Sequence, residues 1–93
     1  MEITFDPAKG AANMAKHGVS LDMANEIAWE DALTWPDVRK DYQEQRMAAL
    51  APIGDRLYFV VFVDRPEAAP TERRVISLRK ANLREVNRYE TDS

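Results

Sequence analysis

Apolar positions along this chain form strand-like runs through its second half and helix-like stripes toward its two ends. The longest run, LYFVVFV (57–63), has no polar break and the length of a strand buried on both faces. QRMAALAPI (45–53) reads as the strand before it, with Gly54-Asp55 as the turn between them. ERRVISLRK (72–80) reads as the strand after it. The intervening RPEAAPT is a loop, because Pro66 and Pro70 cannot donate to a sheet ladder.

ITF (3–5) predicts a short first strand, and Asp6-Pro7 a helix start. Aspartate accepts from the free N–H groups of a first turn, and proline at the first helical position loses no bond. That helix should end near Lys16, since His17-Gly18 supplies a C-terminal cation and a glycine for the left-handed cap. Ala8, Ala11, Ala12 and Ala15 lie on one stripe and predict close packing against a sheet or a second helix. Ser20 can cap a second helix, turning Leu21, Ala24, Ile27 and Ala28 inward. Residues 30–43 are polar and broken by Pro36, which predicts a short strand followed by a loop. Asn82 and Glu85 have the spacing of a capping box opening a final helix to about Tyr89, with Leu83 and Val86 packed inward. The order β-α-α-β-β-β-β-α predicts an α+β domain spanning 1–93, with a mainly antiparallel sheet of four to five strands, two N-terminal helices and one C-terminal helix.

Composition narrows the chemistry. The 93 residues include no cysteine and one histidine, which excludes disulfides, thiolate chemistry, Cys-based zinc sites and multi-histidine metal sites. No metal or cofactor is expected. The start, MEITFDPAKG, has neither a basic nor an apolar signal region, and LYFVVFV is too short to span a bilayer. A soluble, cytoplasmic protein is therefore expected. The net charge is −3, yet residues 73–88 hold six Lys or Arg and one acidic residue. Such asymmetry points to a polyanion or an acidic partner.

Strict strand alternation would put Val75, Ser77 and Arg79 on one face and Arg74, Ile76, Leu78 and Lys80 on the other. With Arg84 and Arg88 one helical turn apart, this predicts a basic rim at the junction of strand and helix. Arginine suits phosphate because its planar fork donates two parallel hydrogen bonds. His17 is a candidate acid or base, or the cation at a helix end. Glu44 and Arg46 would share a strand face, as an acid–base pair with a phosphate clamp or as a surface ion pair. Arg65 ends a buried strand, and Trp29 and Trp35 suit core or partner contacts better than base stacking.

Together these residues resemble the BrnT toxins of bacterial type II toxin–antitoxin systems. The resemblance runs through Asp6-Pro7-Ala8-Lys9, Asn13 and Lys16 to Ser20, then Glu44 and Arg46, Ile53-Gly54, LYFVVFV with Arg65, RVISLRKA, Glu85 and Tyr89. It implies a RelE-like fold and a metal-independent ribonuclease. It also implies a BrnA-like ribbon-helix-helix antitoxin as partner in a hetero-oligomer, and operator DNA bound only through that antitoxin. The implied reaction is attack of a ribose 2′-OH on the adjacent phosphate, which needs a base, an acid and cations around the phosphorane. On that basis Arg79 and Arg65 are the expected phosphorane stabilisers and Arg46 a further clamp. Glu44 is the expected base and His17 a rival base or acid, and Arg74, Lys80 and Arg84 would hold the flanking RNA backbone. The alternative is a catalytically idle binding module serving only as antitoxin partner and co-repressor.

Overall fold

The computed structural model describes residues 1–39 and 43–92. Its elements are β1 (Glu2–Thr4), α1 (Pro7–His17), two 3₁₀ turns (Leu21–Glu26 and Trp29–Asp31), β2 (Leu33–Pro36), β3 (Met47–Ile53), β4 (Arg56–Arg65), β5 (Glu72–Lys80) and α2 (Leu83–Asp92). The five strands form one sheet in the order β1-β5-β4-β3-β2, antiparallel except for β1 against β5. The α+β architecture expected from the sequence is present. Within the stretch 30–43, β2 is the short strand, and residues 40–42 lie outside the described residues.

Local chemistry explains the ends of the helices. The Asp6 carboxylate accepts from the Ala8 N–H at 2.9 Å, and Gly18, at φ 67°, donates its N–H to the Met14 carbonyl. Asn82 and Glu85 close their capping box reciprocally, at 2.9 and 2.8 Å. Of the two residues expected to pack α2 inward, Val86 is half-buried but Leu83 is 76% exposed.

Other expectations fail for physical reasons. The second N-terminal helix is 3₁₀ rather than α, although Ser20 caps it as expected, its hydroxyl accepting from the Asp22 N–H. Its buried residues Leu21 and Ala24, with the buried cap residue Ile27, recur every third position, which is the 3₁₀ period. The alanine stripe of α1 is not its packing face. Ala8, Ala11, Ala12 and Ala15 are exposed, while Gly10, Asn13 and His17 face inward. A Cβ on Gly10 would stand 3.1 Å from the Phe5 ring, so glycine permits that approach. Ala11→Glu should therefore change stability by no more than about 0.5 kcal/mol. A thermal melt checks this, and a fall of about 10 °C would restore the alanine stripe as the packed face.

The sheet buries side chains on both faces. On the inner face, Ala49, Ala51, Tyr58, Val60, Phe62, Val75 and Leu78 pack with Val19, Leu21, Ala24 and Ile27. On the opposite face, Ala48, Leu50, Phe59 and Val61 pack with Trp35, Leu57, Ile76, Ala81 and Tyr89. α2 lies across one end of this second face, tied down where the Tyr89 hydroxyl donates to the Asp31 carbonyl at 2.6 Å.

The register of β5 against β4 shifts in mid-strand, and this decides where the cations point. Val61 opposes Ser77 and Phe62 opposes Val75, leaving Ile76 without a partner as a bulge. Val75 and Leu78 consequently face the same core, three positions apart. Strict alternation, which set Arg74 and Arg79 on opposite faces, is therefore wrong. Arg74 opposes Val63 and Arg79 opposes Phe59, both on the outer face of β4.

Candidate nucleic-acid interface

Asn13 sets the position of α1. β1 covers β5 only from Glu72 to Arg74, leaving the edge of β5 beyond it without a strand. The Asn13 side chain occupies that edge. Its amide donates to the Leu78 carbonyl at 2.7 Å and the Val19 carbonyl at 2.9 Å, and its oxygen accepts from the Leu78 N–H at 3.1 Å. One buried side chain thus replaces part of a missing strand ladder. It also fixes the next turn of the helix. Lys16 and His17, with Lys9 and Ala12, border a shallow cavity of about 200 Å³ against Ile76 and Ser77 of the bulge.

Arg79 borders a separate cavity with Trp35, Asp37, Phe59 and Glu85, and its charge reaches His17. Its guanidinium stacks on Phe59, 4.4 Å from the ring centroid, and donates twice to the Glu85 carboxylate at 2.8 Å. This pairing, with the Asn82 N–H, holds the Glu85 carboxyl below the usual carboxylate range. His17 is influenced by the same arginine: burial, then Lys16 and Arg79, lower its pKa below the ordinary histidine value. The imidazolium that a helix C-terminus would favour is thus disfavoured here relative to an ordinary histidine.

Glu44, Arg46, Arg65 and Arg74 gather elsewhere, around the end of β4. Arg65 ends β4 and donates to both oxygens of Glu44, Nε at 2.7 Å. This bond is the main cause of the lowered Glu44 pKa, and the charges of Arg65, Arg46 and Arg74 add to it. Arg74 in turn lies 3.7 Å from Glu72. Glu44 and Arg46 precede β3 rather than lying within it, so their shared surroundings come from the loop and not from strand alternation. Phe59, opposite Arg79, is six residues from Arg65 along β4, which separates the two arginines by roughly 20 Å. They cannot clamp one phosphate together. Lys80 opposes Tyr58 and leaves on the inner face, and Arg84 is exposed on the first turn of α2. The expected basic rim is divided between two faces and a helix.

Two contributions were hidden from the sequence. Glu85 holds Arg79 as well as capping α2, and its i+3 spacing from Asn82 signals only the cap. Arg88 stacks over Trp35 at 4.1 Å, with no sequence signal linking the two. Asn13 did have one, since Gly10, Asn13 and His17 recur at helical spacing opposite the alanines. Among the described residues, no group of three or more His, Asp or Glu gathers as metal ligands would. No helix among them is long and apolar enough to cross a membrane.

Comparison with known proteins supplies a family. The family model described as "Ribonuclease toxin, BrnT, of type II toxin-antitoxin system" matches residues 5–85. The fold is similar to the crystal structure of the Brucella abortus ribonuclease toxin BrnT, with a TM-score of 0.66 and 24% sequence identity over 88% of this chain and 97% of that one. No curated protein matches the chain.

Proposed function

Given that this chain belongs to the BrnT family of ribonuclease toxins of type II toxin–antitoxin systems, we propose that it cleaves RNA, without a metal, at the corner between His17 and Arg79. The observation that carries this assignment is the place of His17 at the end of α1, against Ile76 and Ser77 of β5, within reach of the charge of Arg79. His17 takes the proton of the ribose 2′-OH, whose oxygen attacks the adjacent phosphorus. The bond to the 5′-oxygen breaks as that oxygen receives a proton, and Lys16 is the ammonium next to His17 able to supply one. Arg79 and Lys16 offset the negative charge that builds on the phosphorane. Glu44 suits the base role less well, because Arg65 stabilises its ionised form and so weakens it as a proton acceptor.

The partner is a BrnA-like antitoxin with a ribbon-helix-helix domain, which neutralises the toxin in the cytoplasm in a hetero-oligomer and brings it to operator DNA for co-repression. One observation favours the idle binding module instead: Arg79 and Arg65 both already hold carboxylates of their own chain. Two of the five donors of each guanidinium are engaged this way, so both keep donors for phosphate.

Inducing the chain alone, beside a His17→Gln variant of equal abundance and equal thermal midpoint, separates the two readings. Growth arrest with loss of bulk RNA, abolished by the substitution, is the expected result. Intact RNA and normal growth with folded wild-type chain would establish the idle module.

A further inference from the structure

We infer that Lys9, Lys16 and Ser77 hold one phosphodiester of the RNA backbone in the cavity where α1 meets the bulge of β5. This rests on the RNA-cleaving reading above and adds Lys9 and Ser77 to its site. The cavity, of about 200 Å³, is bordered by both lysines, His17 and Ser77, and no acidic residue lines it. Pockets for drug-sized ligands run to ~300–1,000 Å³, so this one suits a single small group. Its charge sets it apart from the cavities that the arginines border. Arg79 shares its cavity with Asp37 and Glu85, and Arg65 shares one with Glu44, Asp64 and Glu67. A phosphate entering either would meet carboxylates, and in the α1 corner it meets none.

Among the described residues neither Lys9 nor Lys16 pairs with a carboxylate, and the Ser77 hydroxyl has no hydrogen-bond partner. Helix geometry brings the two ammonium groups to one place. Lys9 and Lys16 are seven positions apart on α1, two turns and about 10.5 Å along one face. Ala12 lies between them on the cavity wall and is too small to fill it. Stability does not account for Lys9. It stands third in α1, where the positive end of the helix dipole disfavours a cation, and the first turn holds no acidic residue to offset it. A cation placed against the local rule, at the mouth of a cavity without carboxylates, is a group held for an anion.

The test follows the imidazole signals of His17, the one histidine of the chain, by NMR while an uncleavable 2′-O-methyl RNA trinucleotide is added. The RNA should shift those signals and move their titration to higher pH, because a phosphate in the cavity favours the imidazolium. Lys9→Gln should leave the thermal midpoint unchanged or raise it, and should weaken binding about fivefold. It should also reduce the slope of log K against log salt by about 0.7, one contact to a single strand. Lys9→Arg, which keeps the charge, should retain that slope. His17 signals indifferent to the RNA overturn the proposal, as do equal affinity and slope in Lys9→Gln and wild type. These failures are distinct from failure of the cleavage reading. A chain that binds the trinucleotide in this way but leaves ordinary RNA uncut lacks only the catalysis, whereas one that cuts RNA and binds it equally well as Lys9→Gln lacks only this phosphate site.

Discussion

Replacing Asn13 by leucine should lower the thermal midpoint by roughly 10–20 °C. Leucine fills a similar volume but cannot replace the three hydrogen bonds made with the Leu78 N–H, the Leu78 carbonyl and the Val19 carbonyl. These groups lie where Asn13 is 5% exposed and Leu78 and Val19 are buried, so water does not readily take over. Each buried polar group left unpaired costs about 1–3 kcal/mol, and in a domain of this size each kcal/mol shifts the midpoint by about 4–8 °C. Allowing for partial relaxation, a net loss of about 2–3 kcal/mol is expected. Asn13→Asp should be no rescue: it retains the acceptor for the Leu78 N–H but turns a carboxylate toward two carbonyls. A melt within a few degrees of wild type for both variants would show that α1 does not depend on this anchor. Because the same side chain places His17 one turn further on, cleavage should fall with stability in both variants.

The second large effect concerns Arg79. Arg79→Ala should slow RNA cleavage by about 10²–10³-fold, the loss typical of removing one preorganised donor from a developing anion. Arg79→Lys keeps the charge but loses both the fork and the guanidinium over Phe59, so only part of the rate should return. The pH profile supplies a readout that a merely structural arginine would not move. In the wild type the acid limb reports protonation of His17 and should lie below the ordinary histidine value, since burial, Lys16 and Arg79 all disfavour the imidazolium. Removing Arg79 removes one of those cations, so His17 becomes easier to protonate and the limb should move to higher pH. Rate–pH curves for wild type and Arg79→Ala check the shift. A limb that stays in place would mean that Arg79 and His17 do not share a site.

How much of this could be read from the sequence depends on whether neighbours along the chain or across it decided the outcome. LYFVVFV, the Gly54-Asp55 turn, the Asp6 and Gly18 caps and the Asn82–Glu85 box were legible because each is a local device, set within a few residues. The packed face of α1 was misread because four alanines look like a contact stripe. The actual contact instead uses a glycine that admits the Phe5 ring and an asparagine that completes a strand edge 65 positions away. The faces of β5 were misread for a related reason. A bulge arises from the fit between β4 and β5, and nothing in RRVISLRK announces that Ile76 will be the extra residue.

The candidate site was legible as residue types and not as groupings. Arg79 and His17 were each singled out, yet only the anchoring of α1 to β5 brings His17 within reach of the charge of Arg79. Glu44, Arg46 and Arg65 were also singled out, and they do assemble with Arg74, but at the other end of the sheet face. The carboxylates facing these arginines were the missing information. Glu85 and Glu44 orient the forks, and the arginines in turn lower the pKa of each carboxylate, which makes it a weaker proton acceptor.

The most direct test of the central claim is to identify the ends left on RNA cut by the purified chain in the presence of a chelator, for wild type, His17→Gln and Arg79→Ala. Attack by the 2′-OH at the His17–Arg79 corner predicts 2′,3′-cyclic phosphate and 5′-hydroxyl ends from wild type, and little or no cleavage from either folded variant. Ends bearing a 3′-hydroxyl, or undiminished cleavage by both variants, would contradict it.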